Sequence, residues 1–418
     1  MCTEATLEQD ILVLALAPRE NRKKLAVQIL NLTWEKGLYP ASIAPVYQSL
    51  GRGELAPMTI PAFNVRGLTY PLARAIWRSA IQANCGPIIF ELAPSESYGC
   101  DQTFEEYAAM VMAAAFKEGY RGPVFLQGDH FSINQLSDAE PLTDLALQVI
   151  ESGFYQIDID GSHQYNPQAE ELSDFHAPNA QVSARLIDAL RQKQPRAIHL
   201  TLGGEVGEIG GRNTTVADLV AFQSEISKHL PPGIAGLDKI SAQTGTTHSG
   251  IVLPDGSTGR MSMDFSLIAQ LAQKSRQFGW SGMVQHGAST LQIEDLAQLP
   301  KAGVVEVHLA TQIQNILFDH PAFPATLREQ MKRELVNTSR GAEGDHLENS
   351  TELSEAQRFY RARWAAWGIY KTQLWQLPPE VIAQVSDSLS DWATAIFQAL
   401  QVNNRSQVLS DYYSGGTL

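Results

Sequence analysis

His130, His248 and His286 each close a separate apolar segment of this chain, in the contexts GDHF, THSG and QHGAS. Three imidazoles brought to one place leave open positions on a divalent ion such as zinc, the recurring arrangement of a catalytic site. An ion held in that way grips a substrate oxygen and stabilises negative charge on it. Asp129, directly before His130, falls within reach of whatever the ion holds and can donate or accept a proton there. Other segments end in Asn64, in Asp160 with Ser162 and His163, in Glu205, and in His308 with Thr311. Each has a plainer reading when taken singly: a hydrogen-bonded structural histidine, a turn-forming Asp160, a helix-N-terminal charge at Glu205. The case for chemistry rests on the three histidines sharing one position relative to the segments before them.

The elements that must position these groups follow a rhythm. Short apolar, β-branched segments occur at 59–65, 86–92, 122–130, 154–162, 197–207, 238–250, 282–290 and 303–311. Stretches with apolar residues at three- and four-residue spacing separate them, as in YPLARAIWRSAIQAN and TVADLVAFQSEISKHL. Strand then helix, eight times, predicts an α/β chain folded as a (β/α)8 TIM barrel, whose active site forms at the C-terminal strand ends. An open doubly wound sheet would carry a glycine-rich turn after its first strand, and FNVRGLTY is not one. Residues 1–57 read as an N-terminal helical segment, 58–324 as the catalytic barrel, and 325–418 as a helical extension packing on the barrel or a partner subunit. The polar insertion SRGAEGDHLENSTELSE reads as a surface loop between the last two.

With 418 residues, 44% hydrophobic and 18% charged, the chain suits a soluble globular enzyme with a sizeable core. A formal charge of −14 and the lack of a basic run argue against nucleic acid or an anionic membrane as partner. Three scattered cysteines make neither a disulfide framework nor a thiolate zinc site. The apolar run ILVLALA is too short for a signal or a membrane span, which predicts a cytoplasmic protein. The aromatic-rich tail predicts a homodimer or higher homo-oligomer.

Six tags in order, IPAFNV, GDH, IDIDGSH, GEVGEIGG, TTHSG and QHGAS, resemble the class II, zinc-dependent fructose-bisphosphate and tagatose-bisphosphate aldolases. The resemblance implies the eightfold barrel independently. It also implies reversible aldol cleavage of a phosphorylated ketose through a zinc-stabilised enediolate, within carbohydrate metabolism such as glycolysis. Carried over by residue, it makes His130, His248 and His286 the zinc ligands, with Glu205 holding the ion in an alternative position. Asp129 becomes the acid–base group and Asn64 a contact to substrate. Gly250, Gly287, Ser289 and Thr311 fall in the loops that receive phosphate, beside a monovalent cation such as Na+ or K+.

Departures from the family pattern bear on recognition. His308 and Ala310 stand where relatives end the eighth strand with polar substrate contacts, and Ala93 replaces a phosphate-binding serine. Arg212 and Asn213 replace two loop glutamates, which assigns Arg212 to a changed anion or sugar pocket and leaves Glu208 as a substitute base. The alternative reading is a non-catalytic or regulatory barrel subunit of the same family. A zinc hydrolase ranks below both, because AFNV lacks the His-x-His pair of such barrels.

Overall fold

Parallel strands cannot be joined by tight turns, so each pair in this chain is separated by a helical crossover. The computed structural model describes residues 2–207, 211–247, 250–336 and 353–413. Its main sheet contains β1 (Ile60–Phe63), β2 (Ile89–Leu92), β3 (Gly122–Ser132), β4 (Phe154–Asp160), β5 (Thr201–Val206), β6 (Lys239–Ala242), β7 (Met283–Gln285) and β8 (Val304–Leu309). Neighbours in sequence are neighbours in the sheet, and β8 returns to pair with β1, His308 opposite Ala62. The result is the closed (β/α)8 barrel, with a helical C-terminal region.

Helices end where the local chemistry says they should. Thr103 caps helix Phe104–Lys117 through the Glu106 backbone N–H, and Thr215 caps helix Val216–His229 through that of Asp218. Two differences from the sequence expectation have physical causes. Leu38–Pro40, inside the segment expected to be helical, forms a short strand parallel to the start of β3, Leu38 opposite Gly122. Among the described residues of the stretch 238–250, only Lys239–Ala242 is strand, because Gly245 at φ +105° turns the chain away from the sheet. Most of the polar insertion, its residues 339–352, lies outside the described residues.

The inner surface of the barrel is unusual. Branched apolar side chains normally fill such a barrel. Here Glu91, Gln127, Gln156, Asp158, Lys239, Glu306 and His308 are all buried. In β4 the polar residues Gln156, Asp158 and Asp160 alternate with Tyr155, Ile157 and Ile159, the period-two pattern of a strand with one polar and one apolar face.

Flanking segments wrap the barrel. Helix Arg19–Glu35 covers helix Phe104–Lys117, and helix Pro379–Ala399 covers helix Thr69–Gln82. Glu106 joins three parts of the chain, 3.1 Å from Arg22 Nη1 and 2.8 Å from Lys371 Nζ. The extension reaches both ends of the barrel. Near the strand C-termini the indole of Trp367 lies over Gly67, where an added Cβ would overlap it. Near the strand N-termini Thr59 N–H donates to Leu400 O and Gly86 N–H to Val402 O. Gly67→Ala is therefore expected to destabilise the protein by about 1–3 kcal/mol through overpacking. A denaturant midpoint equal to that of wild type would show that Trp367 does not pack there in solution. Among the described residues, no helix is long and apolar enough to cross a membrane.

Candidate metal centre and active site

A regular strand sends consecutive side chains to opposite faces, so Asp129 and His130 could not both enter the barrel mouth from an unbroken β3. The strand is broken at that point. Gly128 pairs with Ile157 but Phe131 pairs with Ile159, so β3 carries one extra residue there. His130 takes up the irregularity at φ +43°, a left-handed conformation that is strained for a residue with a side chain. Gly128 permits it, because a Cβ there would meet the ring of Phe131. The GDH tag thus has a mechanical basis: the bulge aims acid and imidazole at one space.

That space collects groups from four strands. Asp129, His130, Glu205 and His286 each offer a ligand atom, and these atoms lie within 4.8 Å of one another. His130 Nε2 is 3.2 Å from His286 Nδ1, and His130 Nδ1 is 3.0 Å from Glu205 Oε1. Asp160 Oδ2 stands 3.5 Å from His130 Nδ1, while its other oxygen accepts from the Ser162 N–H and hydroxyl, closing the loop after β4. Two imidazoles and two carboxylates form a donor set suited to zinc or a similar divalent ion.

The electrostatics point the same way. Burial, then the negative charge of Asp160, pushes Glu205 up to about 8 despite His130 beside it. A carboxyl raised in this way marks a place short of positive charge, which a cation would supply. Burial would also raise Asp129, yet His130 and His308 hold it well below the usual carboxylate range. Burial would lower His130, yet Asp129 and Glu205 hold it well above the ordinary imidazole range.

Other expected site residues are placed as follows. His248 and Glu208 lie outside the described residues. The loops on either side of His248 and after β7 touch: Thr246 donates from its hydroxyl to His286 O at 2.8 Å. Gly287 sits at φ +65°, and a Cβ on it would come within 2.7 Å of Thr247 O, so only glycine fits. Gly250 lies against Thr290. Ser289 accepts from Ala310 N–H at 2.7 Å, tying the β7 loop to the end of β8, where Thr311 opens helix Thr311–Phe318. Asn64 donates from Nδ2 to Glu96 at 2.7 Å, and its buried Oδ1 has no hydrogen-bond partner.

Arg212 has its own attachment. It makes a two-pronged pair with Asp218, at 2.9 and 2.6 Å, and stacks its guanidinium over Phe175. With Asp218 and His176 it lines a cavity of about 240 Å³. Burial would raise the Asp218 pKa, but hydrogen bonds from His176, Arg212 and Thr215 hold it far below the ordinary value. A carboxyl depressed on folding contributes stability that is complete above its unfolded value and is lost as pH falls. Wild type should therefore lose Tm steeply below about pH 4, and Asp218→Asn less steeply from a lower plateau. Parallel Tm-against-pH curves for the two proteins would remove Asp218 from the account.

Sequence reading missed most of the polar interior. Gln127, Asp158, Lys239 and Glu306 were not singled out, although the alternation in QIDID and VVEVHL carried the signal.

A closed barrel with buried carboxylates and imidazoles at its C-terminal rim defines a class of enzyme scaffold in which loops supply the chemistry. Residues 47–358 match the model of the fructose-bisphosphate aldolase class-II family, so the chain belongs to that family of metal-dependent aldolases. Solved structures of similar fold include the YdjI aldolase of Escherichia coli K12, with 13% identity and a TM-score of 0.52 over 88% of this chain and 99% of that one. The fructose-bisphosphate aldolase of Campylobacter jejuni aligns at 19% identity and a TM-score of 0.52, over 88% and 97%. A fructuronate-tagaturonate epimerase, UxaE of Cohnella laeviribosi, aligns at 12% identity and a TM-score of 0.58, over 84% and 83%.

Proposed function

We propose that this protein is a metal-dependent aldolase that reversibly cleaves a phosphorylated ketose, with donor or phosphate recognition altered from that of the usual bisphosphate. The observation that carries the reading is the bulge in β3, which turns Asp129 and His130 together toward His286 and Glu205. In this reading His130, His248, His286 and Glu205 hold the ion, zinc being the assignment. The ion would supply Lewis-acid polarisation of the donor carbonyl, favouring enediolate character on the donor carbons. Asp129, held ionised by its imidazole neighbours, accepts at its Oδ atoms the proton of the hydroxyl whose carbon becomes the aldehyde. In the synthetic direction it returns that proton. Asn64 Oδ1 is free to take a substrate hydroxyl. Gly250, Gly287, Ser289 and Thr311 form the loops that receive phosphate, with Na+ or K+ as a neighbouring counter-ion. Arg212 would join the anion pocket only by leaving Asp218.

A homodimer or higher homo-oligomer in the cytoplasm belongs to the same proposal, although Trp367 and Trp392 face this chain's own barrel. Metal analysis coupled to a screen of aldehyde release from ketose mono- and bisphosphates tests the reading. About one ion per chain and chelator-sensitive release from at least one ketose phosphate are expected. A second reading, a non-catalytic subunit, is favoured by one observation: His308 and Ala310 occupy the end of β8, and His308 faces inward to other protein groups. Stoichiometric metal with no cleavage of any ketose phosphate would select it.

A further inference from the structure

Beneath Asp129 lies a second cluster of donors. Asp129, Asp158, His286 and His308 also offer ligand atoms within 4.8 Å of one another, a spacing that could suit a second ion. Two features argue against it. Lys239 Nζ stands 3.0 Å from Asp158 and 2.7 Å from Glu306, and donates to a third neighbour, Gln127 Oε1, at 2.8 Å. An ammonium group already fills the cationic role there, and a divalent ion beside it would be repelled. His308 is also committed to protein carboxylates: Nε2 donates to Glu306 Oε1 at 2.6 Å, and Nδ1 lies within ion-pair distance of Glu91, 2.9 Å from Oε2, without hydrogen-bond geometry.

The same contacts give His308 a different use. Its two ring nitrogens each face a carboxylate, Glu306 on its own strand and Glu91 two strands away, which fixes its plane. One face stacks on His286, with centroids 4.0 Å apart and planes 23° from parallel. Nδ1 is also 3.4 Å from Asp129 Oδ1. Thus one rigid plane touches both the candidate acid–base group and a candidate ligand. We propose that His308 is a positioning residue, clamped by Glu91 and Glu306, that sets the Asp129 carboxylate and the His286 ring in register with each other. This deepens the aldolase reading and rests on it for the roles of those two residues. A buried network of this kind is sensitive to loss of one member, because the groups left behind lose their partners without gaining water.

The test uses the full chain carrying Co2+ in place of zinc, with His308→Ala, His308→Asn and Glu91→Gln as variants. Groups that support ligands typically change metal affinity or activity by about 10–100-fold when removed. His308→Ala should bind Co2+ about 10–100-fold more weakly and shift its visible absorption band. His308→Asn, which keeps one amide contact, should recover part of both changes. Glu91→Gln, which opens no cavity, should shift the band in the same direction but less, and decides the matter if His308→Ala does not fold. With an active wild type and saturating Co2+, kcat should fall about 100-fold in His308→Ala, by more than KM rises, since the acid–base carboxylate is displaced. Wild-type Co2+ affinity and spectrum in all variants would overturn the positioning role. A wild type that binds Co2+ but cleaves no ketose phosphate would overturn the aldolase reading, and the spectra would still decide His308. A wild type that binds no Co2+ would overturn both.

Discussion

Asp129→Asn is expected to lower the rate of aldol cleavage by about 10²–10⁴-fold while the protein keeps its fold and its metal. The two side chains share a shape, so the bulge at Asp129–His130 and the packing of Phe131 over Gly128 should persist. What is lost is a basic oxygen. An amide cannot take the hydroxyl proton, and the ionised state that His130 and His308 enforce on Asp129 no longer exists. His130, Glu205 and His286 still offer donors to the ion. Steady-state kinetics with metal content measured on the same sample checks this. Turnover at the wild-type rate would end the assignment of Asp129.

His286→Ala is expected to weaken metal binding by about 10²-fold or more and to abolish cleavage at ordinary metal concentrations. A four-donor zinc site is worth about 10–16 kcal/mol, so losing one donor forfeits about 3 kcal/mol. The ring also braces its neighbours, standing edge-on to His130 at 4.8 Å and stacked on His308. Dialysis against a weak chelator, followed by metal analysis, separates the two proteins. A His286→Ala protein that holds one ion per chain through the same dialysis would exclude His286 as a ligand.

Much of the architecture was legible because barrel strands repeat one signal: a short apolar run after a turn, then a helical stretch. Local exceptions were not. Leu38–Pro40 is three residues long and pairs with a distant partner, and no local pattern announces that. The connection between β7 and β8 is two single helical turns, Ile293–Leu296 and Leu299–Ala302, the second with Pro300 in its first turn. Within the site, histidines before small residues were visible as a group, and Asp129 followed from its neighbour. The left-handed turn at His130 was invisible, since histidine does not advertise positive φ as glycine does. The Lys239–Glu306 pair escaped for another reason. Inward charge on a strand looks like solvent-facing polarity until the sheet closes around it.

The hydrogen bonds that Thr59 and Gly86 make to Leu400 and Val402, with Tyr39 donating to Tyr413 O, have a kinetic corollary. They tie the floor of the barrel to chain that the ribosome makes more than 300 residues later than its partners. During synthesis those strand ends must wait, solvated or guarded by a chaperone, and such distant closures slow folding. Closure of the barrel floor is therefore set by a segment made long after the strands it seals, far from the chemistry at the opposite rim.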